Sequence, residues 1–264
     1  LNRSDTPPCL ALEHARELAA HKETYAYAIR QARQAGTAAF HAWFNRESAR
    51  TMQQYVVRGY WDFALHILTP DVCARLTYPE AMTALEIGYG GGRLLNAACN
   101  FFGEVVGIDI HDEHEAAAAF LRAQQHTNFR LLPTDGATIE VDAGSIDFVY
   151  SFIVLQHLPS LAVFASYLRE VRRCLRPGGV AQLYFGKFRR LHPLYQLRYF
   201  WQGYKETRGG AANQISLVIR LARVRRMCSS IGLKPVASGT SYYLAPGGYP
   251  QQPGGQSFVT LVRE

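Results

Sequence analysis

The run Leu85-Glu86-Ile87-Gly88-Tyr89-Gly90-Gly91-Gly92-Arg93 ends a short apolar stretch and opens a helix-like one. Lacking Cβ atoms, its glycines let the backbone turn tightly and approach a ligand, and a helix start offers oriented N–H groups. A close strand-to-helix connection with no ligand has the same composition, so spacing has to discriminate. A G-x-G-x-x-G dinucleotide fingerprint begun at Gly88 meets Arg93, and one begun at Gly90 meets Leu95. No Gly-Lys-Ser/Thr follows, so a P-loop is excluded as well. Asp109 ends Val105-Val106-Gly107-Ile108-Asp109 about twenty residues beyond the turn, where a carboxylate can accept from both hydroxyls of a ribose. Asp135-Gly136 follows a third apolar run, and taken alone it reads as an ordinary turn. His157 follows a fourth run, and an imidazole titrates in the range that suits proton removal, although it can equally cap the next helix or shape a pocket.

Glu86, Gly88, Gly90 and Gly92 form acid-x-G-x-G-x-G, which resembles the first motif of the class I S-adenosylmethionine-dependent methyltransferases. Two segments, Ile146 to Pro159 and Leu168 to Gly179, look like the fourth strand with its turn and the helix entering the fifth strand of that family. The resemblance covers residues 83–185 well and the last hairpin loosely. It implies an α/β, Rossmann-like fold: a seven-stranded, mainly parallel sheet with its last strand antiparallel and helices on both faces. It also implies S-adenosyl-L-methionine as cofactor and S-adenosyl-L-homocysteine as product. The residues it implies for the cofactor are Glu86, Gly88, Gly90, Gly92, Asp109, Asp135 for the adenine amino group, Gly136 through its backbone, and Ser151. For a hydroxyl acceptor it leaves His157 as the candidate base. Arg58, in Arg58-Gly59-Tyr60-Trp61, is a candidate for the cofactor carboxylate with an aromatic facing the sulfonium, unless that aromatic pair is core.

The elements that must position these residues follow from periodicity. Residues 1–78 form an amino-terminal helical cap, since apolar positions at helical spacing recur through 10–68 among strong helix formers and without proline. From residue 79 the methyltransferase-like domain begins. Short apolar runs at 84–88, 104–109, 128–132, 146–151 and 180–185 alternate with helix-length segments at 92–101, 113–125 and 160–176, which predicts right-handed crossovers and a mainly parallel sheet. Pro177-Gly178-Gly179 stops the last helix and turns the chain into the next strand. Residues 187–231 form a substrate-cap insert, an aromatic and basic stretch to Gly210 followed by a helix over Gln214–Ile231. Strands at Lys234–Tyr243 and Ser257–Val262 flank a Pro- and Gly-rich hairpin loop, residues 245–255.

The chain has 264 residues, 48% hydrophobic and 19% charged, enough apolar material for a core and too much for a disordered segment. No uninterrupted apolar stretch reaches membrane-spanning length, the amino end lacks a signal pattern, and Leu1 in place of Met fits a trimmed or excised chain. Five scattered cysteines without a C-x-x-C pair suggest neither a disulfide frame nor a zinc knuckle, so a cytoplasmic setting is expected. His111 and His114 read as solvated residues opening a helix, and no metal is expected.

The net charge is +7, and residues 165–234 carry 15 Lys and Arg against Glu170 and Glu206 alone. Arg169, Arg172, Arg173 and Arg176 suit the solvent face and last turn of a helix. Beyond them, basic and aromatic residues interleave from Lys187 to Trp201, which suits a small anionic or aromatic acceptor met by Arg189, Arg190 or Arg198. The same mixture suits RNA. The expected function is methyl transfer to oxygen or nitrogen of a small metabolite. The alternatives are transfer to RNA or to a carrier-bound or protein substrate, and a cofactor-binding domain without turnover. The acceptor and the oligomeric state are not legible. No Asn/Asp-Pro-Pro-aromatic motif is present, nor a cysteine cluster for radical chemistry.

Overall fold

The computed structural model describes residues 8–45, 51–188, 197–207, 211–242 and 253–264. Three helices precede the sheet: α1 (Pro8–Gln34), α2 (Thr37–Asn45) and α3 (Met52–Asp62). Thr51 caps α3 with a reciprocal capping box to Gln54, and α3 runs on into a π turn at Phe63–Ile67 before the short α4 (Pro70–Cys73). The core then alternates as β1 (Thr83–Ile87), α5 (Arg93–Ala98), β2 (Glu104–Asp109), α6 (His114–Ala123), β3 (Phe129–Pro133), β4 (Ile146–Ser151), α7 (Leu161–Cys174) and β5 (Leu175–Lys187). The remainder is α8 (Leu197–Gln202), β6 (Tyr204–Glu206), β7 (Leu217–Ile219), α9 (Leu221–Ser229), β8 (Leu233–Tyr242) and β9 (Pro253–Arg263).

The sheet order is β3-β2-β1-β4-β5-β7-β6, with β9 antiparallel to β5 and β8 antiparallel to β9. β1 to β5 pair in parallel, as the alternating pattern predicts. Their residues are apolar on both faces because both faces are covered. Leu85, Ile87, Val106, Ile108 and Val149 pack with α7 and α9, whereas Ala84, Val105, Phe148 and Tyr150 pack under α3, α5 and α6. The strand period of two therefore sends Glu86, like Ala84, to the α3–α5 side. Fully buried Phe164 of α7 alone contributes about 1.5–3 kcal/mol of hydrophobic stabilisation.

Three expectations change. The sheet has nine strands among the described residues, not seven, because Gln214–Ile231 is not one helix: Leu217-Val218-Ile219 leaves it to pair with Gly186 and Lys187 and with β6. These β-branched and leucine side chains suit a buried strand between β5 and β6, and only Leu221 onward keeps the amphipathic helical face. Pro177-Gly178-Gly179 also lies inside β5 rather than before it, with a register shift opposite Ile146/Phe148 and Gly178 at φ +79°. Pro253-Gly254-Gly255 likewise belongs to β9, while the rest of the expected hairpin loop, residues 245–252, lies outside the described residues. No helix among the described residues is long and apolar enough to cross a membrane.

Candidate cofactor and acceptor cleft

The glycine turn leaves β1 with Gly88, Gly90 and Gly92 all in the left-handed region, at φ +79°, +55° and +85°. Side chains there would be strained, and at Gly88 and Gly90 crowded as well. A Cβ on Gly88 would run into Val154, and one on Gly90 would meet Cδ1 of Phe44 at 2.7 Å. The turn is tied to β2: the Gly88 amide donates to the Ile108 carbonyl at 2.8 Å, and the Gly90 amide to Oδ2 of Asp109 at 2.8 Å. Oδ1 of Asp109 accepts from the Ile110 amide at 2.7 Å.

Glu86 lies beneath the turn, beside its register partner Tyr150 on β4, whose hydroxyl donates to Oε2 at 3.1 Å. Burial pushes the Glu86 carboxyl up to about 8, and the Tyr150 hydrogen bond and the Arg93 guanidinium only partly oppose it. Arg93 itself forms an ion pair with Asp62, which Arg58 also meets at 2.9 Å, so a buried charge cluster stands behind the turn.

In front of the turn, one cleft is lined by Gly88, Gly90, Asp109, Thr134, Gly136 and His157 together with residues of the amino-terminal helices. α1 crosses its length. Leu18 meets Gly136, Lys22 Nζ donates to the Thr134 carbonyl at 2.9 Å, and the Tyr25 hydroxyl accepts from the Asn213 amide at 2.9 Å. Farther along, Arg30 pairs with Asp112 at 2.9 Å and Arg33 with Glu113 at 3.8 Å, just past the end of β2. His21, Tyr25, Trp43 and Phe44 thereby join the lining.

His157 ends a 3₁₀ turn, its amide donating to the Val154 carbonyl at 2.8 Å. Its Nδ1–H donates to the Gln214 carbonyl at 2.7 Å, and its Nε2 accepts from the Gln156 amide at 3.1 Å. This fixes the tautomer with Nε2 as the basic atom. Two strained residues of the lining flank this arrangement, Ile153 at φ +63° and Asn213 at φ +68°. A β-branched residue held there costs about 1–3 kcal/mol, strain that recurs at functional sites.

Of the residues singled out from the sequence, Gly88, Gly90, Asp109, Gly136 and His157 share the cleft. Gly92 instead caps α5, and the Ser151 hydroxyl donates to the Ile87 carbonyl at 3.0 Å, clamping β4 to β1. The Asp135 carboxylate is turned into its own loop, with Oδ1 accepting from the Ala137 and Thr138 amides at 2.8 Å each. Arg58 serves the charge cluster, and Tyr60 is exposed, its hydroxyl accepting from Asn100, so neither lines the cleft. His111 is buried, not solvated: its Nε2–H donates to the Gly90 carbonyl at 3.0 Å while His114 contacts Tyr89. Among the described residues no three His, Cys, Asp or Glu are grouped to hold a metal. Arg189 and Arg190 lie outside the described residues, and Arg198 falls in α8. Sequence reasoning missed His21, Tyr25, Trp43 and Phe44. The signal they carry, polar-aromatic residues at i, i+4 on one face of α1 and aromatics ending α2, is common in core helices.

Residues 85–183 match a family described as "methyltransferase domain". The chain carries a class I S-adenosylmethionine-dependent methyltransferase domain, the class that the sheet order and the glycine turn define. A ubiquinone biosynthesis O-methyltransferase from Caulobacter vibrioides is 30% identical over 111 residues, 42% of this chain and 42% of that protein. The tRNA (carboxymethyluridine(34)-5-O)-methyltransferase ALKBH8 of Macaca fascicularis is 26% identical over 147 residues, 53% of this chain and 21% of that protein. The chain thus spans less than half the length of these curated relatives. A solved S-adenosylmethionine-dependent methyltransferase from Mesorhizobium loti superposes with a TM-score of 0.55 at 19% identity, covering 74% of this chain and 96% of its own.

Proposed function

We propose that the protein methylates an oxygen or nitrogen of a small molecule, with S-adenosyl-L-methionine bound along the glycine turn. The observation that carries this reading is the meeting, in one cleft, of Gly88, Gly90 and Asp109 with the tautomer-locked His157. The residues present fit the cofactor: the backbone at Gly88 and Gly90 has no room for a Cβ, and Asp109 and Gly136 border the cleft where a ribose and an adenine would be held. Bound there, the cofactor would supply an activated sulfonium methyl to an acceptor lone pair. Nε2 of His157 takes the acceptor proton, exchanging the Gln156 amide for it. α1 lines one side of the cleft and would help to hold an acceptor in place, so positioning supplies much of the acceleration.

The relative named as an O-methyltransferase supports an oxygen acceptor. The tRNA-modifying relative keeps RNA as the second reading, since the insert is basic. Against RNA, three cations of that region are engaged by its own aromatics: Lys205 stands 5.8 Å from the Tyr199 ring, Arg220 5.2 Å from Phe188 and Arg223 5.0 Å from Tyr204. Calorimetry with S-adenosylhomocysteine tests the cofactor site, and release of that product from S-adenosylmethionine in the presence of small hydroxyl and amine compounds tests turnover. Absence of binding would end the proposal, as would binding without turnover of any acceptor class.

A further inference from the structure

Beyond the glycine turn, the cleft has a second end built from two sides. From α1 come His21 and Tyr25, one helical turn apart and on one face, with ring centroids 4.8 Å apart. Opposite stand His157, 6.3 Å from Tyr25, and Asn213, whose backbone is bonded to the Tyr25 hydroxyl. Trp43 closes the end with its ring edge-on to Tyr25 at 6.1 Å. The result is an aromatic slot with two imidazoles at its wall.

The charges in that slot select against an ionic guest. Among the described residues the cleft is lined by no Lys or Arg, and its single carboxylate, Asp109, belongs to the glycine turn. The nearest cations on α1 are already engaged: Lys22 with the Thr134 carbonyl, Arg30 with Glu23 and Asp112, and Arg33 with Glu113. An acidic acceptor buried there would lose its hydration and meet no cationic side chain of the described residues. His21 adds no charge near neutrality, since burial, and then the neighbouring His157, lower its pKa to about 4. A neutral imidazole can both donate to and accept from a hydroxyl, whereas it offers a carboxylate only an uncharged donor.

From these observations we infer that His21 and Tyr25 of α1, facing His157 and Asn213, form the acceptor site, and that it takes an uncharged planar hydroxyl compound of the phenol class. This rests on the methyl-transfer reading above and names its substrate class. The phenolic oxygen makes the new C–O bond, its proton goes to Nε2 of His157, and the C–S electron pair leaves with sulfur.

The test uses the full chain with a matched pair of flat probes, 2-naphthol and 2-naphthoate. Calorimetry on the S-adenosylhomocysteine complex and product release from S-adenosylmethionine are both read. The expected result is binding and methylation of 2-naphthol, with 2-naphthoate at least about tenfold weaker. His21→Ala and Tyr25→Ala should each raise KM for 2-naphthol by about tenfold or more, with cofactor affinity within about twofold. Tyr25→Phe, which keeps the ring, controls for folding and should retain most of the 2-naphthol binding. Preference for 2-naphthoate, transfer to a short single-stranded RNA in place of 2-naphthol, or alanine variants that alter only cofactor affinity would each overturn the assignment. Retained cofactor binding with 2-naphthol neither bound nor methylated would sink this inference alone, whereas loss of cofactor binding in the wild type would sink the methyltransferase reading with it.

Discussion

The Gly90 amide donates to Oδ2 of Asp109 at 2.8 Å, so the turn after β1 and the end of β2 are held as one unit before any ligand arrives. Asp109 thus shapes the glycine turn as well as bordering the cleft, and its two roles can be separated by experiment. Asp109→Ala should destabilise the ligand-free protein by about 1–3 kcal/mol, the cost of a buried amide left without its charged acceptor. It should also weaken S-adenosylhomocysteine at least about tenfold. Denaturant melts read the first effect and calorimetry the second; unchanged affinity would confine Asp109 to the turn.

Crowding distinguishes the glycines. Gly90 and Gly144 both have positive φ, at +55° and +71°, but a Cβ on Gly90 meets Phe44 whereas one on Gly144 meets nothing within 4 Å. Gly144→Ala should therefore cost only backbone strain, about 1 kcal/mol. Gly90→Ala should cost more, and adding Phe44→Ala should return part of the difference. A double-mutant cycle in thermal melts measures that coupling, and strict additivity would show the contact to be unimportant.

Glu86 makes stability depend on pH from the alkaline side. Its folded pKa, about 8, exceeds the ordinary 4.5, so between these values the unfolded chain has released a proton that the folded one keeps. Stability is then highest below 4.5 for this group and falls as pH rises toward 8, with a slope of roughly 1.4 kcal/mol per pH step and a total of up to a few kcal/mol. Glu86→Gln should flatten that fall and raise the melting temperature at pH 8. An unchanged pH slope would mean that the carboxylate is ionised in the fold.

His21 and His41 act from the acid side. Burial lowers both to about 4 from 6.5, with His157 adding to the effect on His21 and Arg33 to that on His41. As pH falls through 6.5 the unfolded chain takes up protons that the folded one refuses, so stability drops toward pH 4. Replacing both by Gln should remove part of that acid-side loss; melts at about pH 4.5 and 7 that shift equally would contradict the assignment.

For the proposed base, His157→Ala should lower turnover by about 10²–10⁴-fold while leaving cofactor affinity nearly unchanged. Full activity in the variant would leave positioning as the sole source of rate. Gln156→Ala should leave the Nε2 lone pair more available and act in the opposite direction, mildly, on the pH dependence of turnover.

Local sequence suffices for the alternation from β1 to β5, the glycine turn and the place of Asp109, because these depend on local physics: short continuous apolar runs, helical periodicity, and backbone conformations that only glycine adopts cheaply. Asp109 reaches Gly90 from nineteen residues away, yet both sit at carboxyl ends of adjacent parallel strands, so strand order alone brings them together. What tertiary structure decided involves partners that no local pattern names. α1 lies over the cleft because Leu18, Lys22 and Tyr25 find Gly136, Thr134 and Asn213, more than a hundred residues away. Leu217–Ile219 becomes a strand only because the exposed end of β5 offers it an edge. Glu86 is buried against Tyr150 and His111 against Gly90, where the motif resemblance implied a ligand contact for one and the acidic surroundings suggested solvent for the other. The Asp135 carboxylate goes to its own turn because two amides two and three residues on satisfy it at no cost in chain order.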